Sequence, residues 1–373
     1  MKLVIQFLFV CGFAMTCCGE RSVGQTSNDS SVKTNVVTGS ANGGSKNSHA
    51  QRTSQLAAPR TARPKLYAAE LLSYLTVRLS CVKANGISCG TGFFYDIPHV
   101  TNAAMHIPVI VSNRHVAKDI RETIVVFTLA GSDSLPSSEK YTIRIDNRAF
   151  PWINHPDESV DLSVLPIAPA LRYMEERGKK PFIFAFDSSY IPDDEYLKSI
   201  TQTDEVTMIG YPGGLWDDVN NQPIFRKGTL ATSPSKNFGG RREFLIDMPV
   251  YWGSSGSPVL LFSEGVYFDR SRGMGADGII LGGRLKLLGI NYATITNTVT
   301  GKVVSVPVPT VVEENEPAVG DGSSKGKGKF ALEAKTGIPN NIGIIIHASR
   351  MKEMEELFAK IVRNQHNEEL KNR

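Results

Sequence analysis

The sequence predicts an all-β fold built from antiparallel strands. From about residue 66 onwards, short runs rich in β-branched and aromatic residues follow one another and are separated by turn-forming residues. No long stretch of helical periodicity lies between these runs, so the strand–helix alternation of a parallel sheet is absent. Hydrophobic residues make up 41% of the 373 and charged residues 21%, which is enough apolar material for a sizeable core.

The first element is an apolar N-terminal segment, residues 1–18. One Lys precedes a short apolar run and small residues follow it, which is the pattern of an export signal. A buried N-terminal helix is the alternative, but the polar stretch that follows argues against it. Cys17 and Cys18 are candidates for lipidation, although Thr16 stands where the bacterial lipoprotein pattern usually has Gly, Ala or Ser. The segment predicts export, either as a periplasmic or membrane-anchored lipoprotein or as a secreted protein.

The second element, residues 19–63, is rich in Ser, Thr, Asn and Gly and almost free of aromatic residues. Such a composition cannot bury enough apolar surface to order itself, so we expect a disordered tether.

The net charge of the whole chain is only +4, and no basic stripe with interleaved aromatic residues occurs, which argues against a nucleic-acid partner. No CxxC motif or Cys/His cluster is present, so we expect neither a metal nor another cofactor.

Cys81 and Cys89 flank the next element, a predicted β-hairpin with Asn85-Gly86 at its turn. A hairpin brings residues on its two strands side by side, and an exported compartment permits disulfides. We therefore expect a cross-strand bridge between these two cysteines. Two buried thiols on adjacent strands are the alternative.

The stretch GSSGSP at 253–258 is either a turn or the site of a nucleophilic serine. Glycines beside a serine allow a tight turn and close approach by a substrate, and the amides of Gly253 and Ser255 could point at one oxygen. Taken alone, such a string is more often a turn. The α/β-hydrolase pattern G-x-S-x-G fails because position 257 is Ser. A base and an acid elsewhere in the chain would decide the question.

His115 and Asp161 are the candidate base and acid. His115 follows the apolar run VIVSNR at a predicted strand end, and Asp161 directly precedes the apolar strand LSVL. A carboxylate at the mouth of a buried strand needs a partner, and His115 would be suitable. The order His115, Asp161, Ser255 is that of the chymotrypsin scheme and differs from the subtilisin and α/β-hydrolase orders.

With these residues in place, the chain resembles the trypsin-like serine peptidases, and more closely their bacterial branch related to the HtrA and glutamyl-endopeptidase groups. The matching stretches occur in the family's order over roughly residues 70–350: GTGFF, VSNRHV, DLSVLPI, GYPGGLW, RKGTLA, GSSGSPVL and LLGINYA. The resemblance implies two Greek-key β-barrels with the active site in the cleft between them.

The predicted boundaries are 64–180 for the first barrel and 181–348 for the second, with a disordered insert at the charged, Gly-rich stretch 312–329. Residues 349–373 are predicted to form a helix and tail. The helix carries an apolar stripe that should pack on the last strands, made of Met351, Met354, Leu357, Phe358, Ile361 and Val362.

The resemblance also implies a role for each motif residue. Ser255 would be the nucleophile, His115 the general base, and Asp161 the group that holds the imidazole tautomer. The amides of Gly253 and Ser255 would form the oxyanion hole, and the substrate would be a protein or peptide.

Four residues are candidates for the substrate pocket. Trp252 stands where bacterial relatives often have Pro, and Pro249 stands where trypsin carries its specificity Asp. Asn291 and Tyr292 lie on the strand that lines the pocket in relatives and offer polar groups without charge. We therefore expect no strong preference for Arg or Lys in the substrate.

The leading hypothesis is an exported serine endopeptidase that works through an acyl-enzyme. One alternative is a catalytically silent trypsin-like fold that binds peptides or proteins, which would be favoured if Trp252 obstructed the oxyanion hole. Another is an esterase on the same scaffold. An N-terminal lipid would attach the protein to a membrane, and the sequence gives no indication of its oligomeric state.

Overall fold

A computed structural model describes residues 66–100, 102, 105–273, 275–302 and 333–371. The predicted export segment with its lipidation candidates Cys17 and Cys18, the tether 19–63 and the insert 312–329 lie outside the described residues. No helix within the described ranges is long and apolar enough to cross a membrane.

The first unit is a seven-stranded antiparallel sheet in the order β5-β4-β1-β2-β3-β7-β6. Its strands are β1 (Thr76–Lys83), β2 (Gly86–Pro98), β3 (His106–Ser112), β4 (Ile120–Ala130), β5 (Pro136–Asp146), β6 (Ile153–Asn154) and β7 (Ser163–Pro166). After these strands the chain stays on the same sheet, because Phe182 donates to the Thr128 carbonyl and Phe186 to the Phe94 carbonyl. The first unit thus includes a stretch beyond residue 180, where the predicted second barrel begins.

The second unit is a closed six-stranded barrel in the order β10-β15-β14-β11-β8-β9. Its strands are β8 (Glu205–Gly210), β9 (Ile224–Leu230), β10 (Glu243–Asp247), β11 (Pro258–Ser263), β14 (Arg284–Lys302) and β15 (Glu333–His347). The hairpin of β12 (Val266–Phe268) and β13 (Ile279–Leu281) lies between β11 and β14 and forms a separate two-stranded sheet. The predicted all-β architecture is confirmed. The sheet of the second unit closes into a barrel, whereas the sheet of the first unit has two free edges, at β5 and β6.

Five helices complete the described part of the chain: α1 (Ala68–Leu72), α2 (Arg114–Ala117), α3 (Ala168–Glu175), α4 (Asp194–Lys198) and α5 (Arg350–Lys371). Helix α5 carries the apolar stripe that its sequence predicts, and Met351, Met354, Phe358 and Val362 are buried. It packs on both units, not on the last strands alone. The Tyr95 hydroxyl of β2 donates to Glu355 at 2.6 Å, and the buried face of α5 shares one core cluster with residues of β2, β3, β7, β14 and β15.

The predicted disulfide between Cys81 and Cys89 is wrong, because both cysteines are free thiols. The hairpin itself forms, with Lys83 opposite Gly86, but its register pairs Cys81 with Ser88 and Cys89 with Ser80. Side chains of successive residues point to opposite faces of a sheet, so the two thiols lie on opposite faces. Cys81 is buried in the core of the first unit, where burial raises the pKa of its thiol to about 12.

Candidate active site

His115 and Asp161 are brought together by the pairing of β3 with β7. These strands are antiparallel, with Ser112 opposite Ser163, so the residues just after β3 lie beside the residues just before β7. His115 Nδ1 is 2.5 Å from Asp161 Oδ2, and the His115 amide donates to Asp161 Oδ1 at 2.9 Å. The carboxylate therefore contacts both the ring and the main chain of His115. The His115 side chain is 48% exposed and the Asp161 side chain 23%, so both are accessible to solvent.

Asn113 supports this pair, although its role was not predicted from the sequence. It is fully buried, and its side-chain amide donates to the Asp161 main-chain carbonyl at 2.9 Å. The contact ties the end of β3 to the residue that carries the carboxylate. The apolar run before VSNRH signals a strand end, but no sequence pattern indicates that this particular Asn turns towards the opposite strand.

The loop that contains Ser255 packs against β2. The Thr91 amide donates to the Ser255 carbonyl at 2.9 Å, and the Thr91 hydroxyl donates to the Gly253 carbonyl at 2.9 Å. The Ser112 hydroxyl in turn donates to the Thr91 carbonyl at 2.7 Å. Thr91 thus links the Ser255 loop to the end of β3, three residues before His115. Thr91 belongs to the GTGFF motif, whose pattern gave no role for its side chain.

Gly256 allows this close packing. Its φ is +88°, and a Cβ at this position would lie 2.0 Å from the Thr91 carbonyl oxygen and 2.5 Å from the Ser112 hydroxyl. A positive φ and the absence of space for a Cβ each favour glycine. Glycine at 256 is therefore required for the Ser255 loop to reach β2.

The three serines of the loop have different surroundings. Ser254 and Ser257 are fully buried, while Ser255 is half-buried. The Ser254 hydroxyl accepts a hydrogen bond from Arg226 at 2.8 Å. Within the described ranges, the Ser257 hydroxyl has no hydrogen-bond partner. Ser255 is thus the serine of this loop that solvent can reach.

The main-chain amides of Gly253 and Ser255 donate no hydrogen bond to another described residue. The Trp252 carbonyl accepts from the Gly213 amide at 2.6 Å. Carbonyl and amide point in opposite directions across a trans peptide, so this bond turns the Gly253 N–H away from Gly213. No hydrogen bond joins the Ser255 hydroxyl to His115 in the part of the chain that is described.

The four pocket candidates occupy different environments. The Trp252 side chain is 70% exposed and its ring lies over Gly213 and Gly214. Pro249 is exposed, and its carbonyl accepts a hydrogen bond from Arg226.

Asn291 and Tyr292 each make a side-chain hydrogen bond within the protein, although the Asn291 Oδ1 atom is buried and has no partner among the described residues. Asn291 is buried, and its side-chain amide donates to the Ser254 carbonyl at 3.1 Å, so it braces the Ser255 loop. The Tyr292 hydroxyl donates to Glu243 at 3.1 Å. Burial, reinforced by the Glu243 carboxylate, raises the pKa of Tyr292 to about 12. The described residues contain no group of three His, Cys, Asp or Glu side chains that could hold a metal ion.

The chain is similar in sequence to one protein family and in fold to several solved structures. Residues 90–267 match the family model of the trypsin-like peptidase domain, and no curated protein matches the sequence. Among solved structures, the HtrA-type protease AlgW with tripeptide is 16% identical and has a TM-score of 0.39, with 80% of this chain and 64% of that chain covered.

A serine endoprotease from Yersinia pestis is 13% identical, with a TM-score of 0.37 and coverage of 82% of this chain and 68% of that one. Rv3671c from M. tuberculosis, in an inactive mutant form, is also 13% identical, with a TM-score of 0.34 and coverage of 82% and 96%. The chain thus spans less than two thirds of the AlgW chain. Residues 90–267, just under half of the chain, thus match the model of a trypsin-like peptidase domain.

Proposed function

We propose that the protein is an exported serine endopeptidase that hydrolyses peptide bonds through an acyl-enzyme at Ser255. The observation that carries this proposal is the His115–Asp161 pair beside the Ser255 loop. Asp161 accepts at His115 Nδ1, so a neutral imidazole carries its proton on Nδ1 and keeps the Nε2 lone pair free. An Nε2 lone pair is the group that can take a proton from a serine hydroxyl.

The proposed reaction follows from these roles. Ser255 Oγ attacks the carbonyl carbon of the scissile peptide while His115 Nε2 takes the hydroxyl proton. His115 then gives this proton to the leaving amine, and the C–N bond breaks to leave an ester on Ser255. Water hydrolyses the ester in the same way, with His115 again as the base. The free amides of Gly253 and Ser255 would stabilise the negative oxygen of each tetrahedral intermediate.

The absence of a hydrogen bond between Ser255 and His115 is compatible with this mechanism. Catalytic hydrogen bonds are often long or poorly aligned before substrate binds, and they tighten in the substrate complex. The exposed Trp252 ring lies over Gly213 and Gly214. The alternative is a catalytically silent binding module, which the labelling experiment below separates from this proposal.

Labelling with a fluorophosphonate probe tests the proposal. We expect wild-type protein to react covalently and Ser255→Ala to lose the label, because the probe requires an activated serine. The matched control is Ser257→Ala, which removes a buried hydroxyl of the same loop and should keep the label. An unlabelled wild-type protein that also leaves a peptide library uncut would instead indicate a silent binding module.

The export and anchoring of the protein form a second part of the proposal, since residues 1–18 have the pattern of an export signal. Intact-mass analysis of protein recovered from the producing cell should give a mass that lacks the N-terminal residues. Additional mass from acyl chains on a new N-terminal Cys17 or Cys18 would indicate a lipid anchor. A mass that corresponds to a chain beginning at Met1 would contradict removal of an export signal.

A further inference from the structure

Arg226 contacts both ends of the segment that leads to the candidate nucleophile. One terminal nitrogen of its guanidinium donates to the Pro249 carbonyl, and the other donates to the Ser254 hydroxyl at 2.8 Å. Pro249 lies at the start of this segment and Ser254 directly precedes Ser255. One side chain therefore spans the segment 249–254, which also contains Gly253.

The position of Arg226 follows from the geometry of β9. Side chains alternate along a strand, and Phe225 and Lys227 are exposed while Arg226 is half-buried, so Arg226 belongs to the inner face of the barrel. Two residues further on, Gly228 allows β9 to pass close to the chain before Pro249. A Cβ at Gly228 would lie 2.3 Å from the Asp247 carbonyl oxygen. This close passage brings the Arg226 side chain beneath the Ser255 loop.

The charge environment of Arg226 is unusual for a half-buried guanidinium. No Asp or Glu of the described chain lies within ion-pair distance of it. Burial lowers the pKa of Arg226, although a guanidinium stays charged in a protein. Its two hydrogen-bond acceptors, the Pro249 carbonyl and the Ser254 hydroxyl, are both neutral. Burial without a counter-ion costs desolvation free energy, and the hydrogen bonds of the guanidinium are the main interactions that offset this cost. The loss of either bond is therefore expensive.

Ser254 is held at every polar atom. Its amide donates to the Tyr251 carbonyl at 3.1 Å, and its carbonyl accepts from Asn291 at 3.1 Å. Arg226 holds the remaining atom, the hydroxyl. The peptide that joins Ser254 to Ser255 carries the free amide of Ser255, so the orientation of Ser254 affects where that amide points.

We propose that Arg226 is a positioning residue that ties Pro249 to Ser254 and thereby keeps the Gly253 and Ser255 amides directed at the oxyanion. The proposal rests on the peptidase function proposed above. It assigns to an internal side chain the task of keeping the loop in its competent conformation. Arg226 itself does not touch the substrate.

Steady-state kinetics with a peptide substrate give the first test. We expect Arg226→Ala to lower kcat about 100-fold with little change in KM, because the oxyanion donors act mainly in the transition state. Arg226→Lys retains a charge but lacks the planar fork that reaches two acceptors, so its kcat should lie between those of Ala and wild type. Lys227→Ala, on the exposed face of the same strand, is the control and should match wild type.

A double-mutant cycle with Ser254→Ala identifies the contact responsible. If Arg226 acts through the Ser254 hydroxyl, the double variant should lose less than the product of the two single losses in kcat. Independent, multiplicative losses would overturn the assigned route. An unchanged kcat in a folded Arg226→Ala variant would overturn the proposal itself, provided that wild type is active and Ser255-dependent.

Hydrogen exchange provides a readout that does not depend on catalysis. The amides of Ser254 and Gly256 are hydrogen-bonded in the native loop, and we expect both to exchange about 10-fold faster in Arg226→Ala, with the rest of the barrel unchanged. Unchanged exchange in segment 249–256 would overturn the positioning role even if the protein proved not to be a peptidase. An inactive wild type combined with faster exchange in the variant would overturn the peptidase function and leave the positioning role in place.

Discussion

Replacing Asp161 with Asn is expected to lower kcat/KM for a peptide substrate by about 10⁴-fold, which is the usual loss when the acid of a Ser-His-Asp triad becomes an amide. Asp161 contacts His115 at the ring Nδ1 and at the main-chain amide. An Asn side chain keeps the shape but can present its NH₂ group to Nδ1. The imidazole then carries its proton on Nε2, and Ser255 has no base.

The control for this prediction is Glu158→Gln on the same loop. The Glu158 side chain is 89% exposed and lies 4.0 Å from Arg114. Exposed ion pairs contribute little, so kcat/KM should stay within about twofold of wild type. Fluorogenic peptide assays at neutral pH measure both variants. Retention of more than about a tenth of wild-type kcat/KM by Asp161→Asn would contradict the role given to the His115–Asp161 pair.

Replacing Gly256 with Ala is expected to lower the free energy of unfolding by more than about 4 kcal/mol. Losses of this size are exceptional for single substitutions and are typical of severe overpacking. The added Cβ would meet the Thr91 carbonyl oxygen at 2.0 Å and the Ser112 hydroxyl at 2.5 Å. Both are held in place by hydrogen bonds, so relief requires the Ser255 loop to leave β2. A loss of this size is a large part of the total stability of about 5–15 kcal/mol typical of a folded domain.

Gly265→Ala provides a matched control for backbone strain. Gly265 has a φ of +92°, close to the +88° of Gly256, but a Cβ there would have no neighbour within 4 Å. Only the strain of a left-handed residue is then added, about 1–2 kcal/mol. Urea unfolding followed by circular dichroism measures both losses, and similar values for the two variants would refute the steric explanation.

The sequence was informative where residue type and local pattern decide the outcome. A His at the end of an apolar strand and an Asp at the mouth of another need each other as partners, and the structure places them 2.5 Å apart. The stripe of α5 likewise follows from its helical spacing and is buried. Both expectations came from residue types at strand ends or from helical spacing, which are local features of the sequence.

Features that depend on strand register could not be predicted in the same way. The Cys81–Cys89 disulfide failed because a shift of one residue places the thiols on opposite faces. Asn113, Thr91 and Arg226 act across strands that are distant in sequence, so no local pattern gives their contacts. The eight-residue helix α3 is too short for its periodicity to stand out among the strands.

The core cluster shared by both units has a consequence for when the site can form. Val160 and Leu162, on either side of Asp161, are buried in the same cluster as Met351, Phe358 and Val362. About 190 residues of chain separate the two groups, and contacts of such long range form late because their loop closure must come first. During synthesis the residues that flank Asp161 therefore lack part of their packing until α5 has emerged. A chain that is still being made would therefore carry an unfinished site.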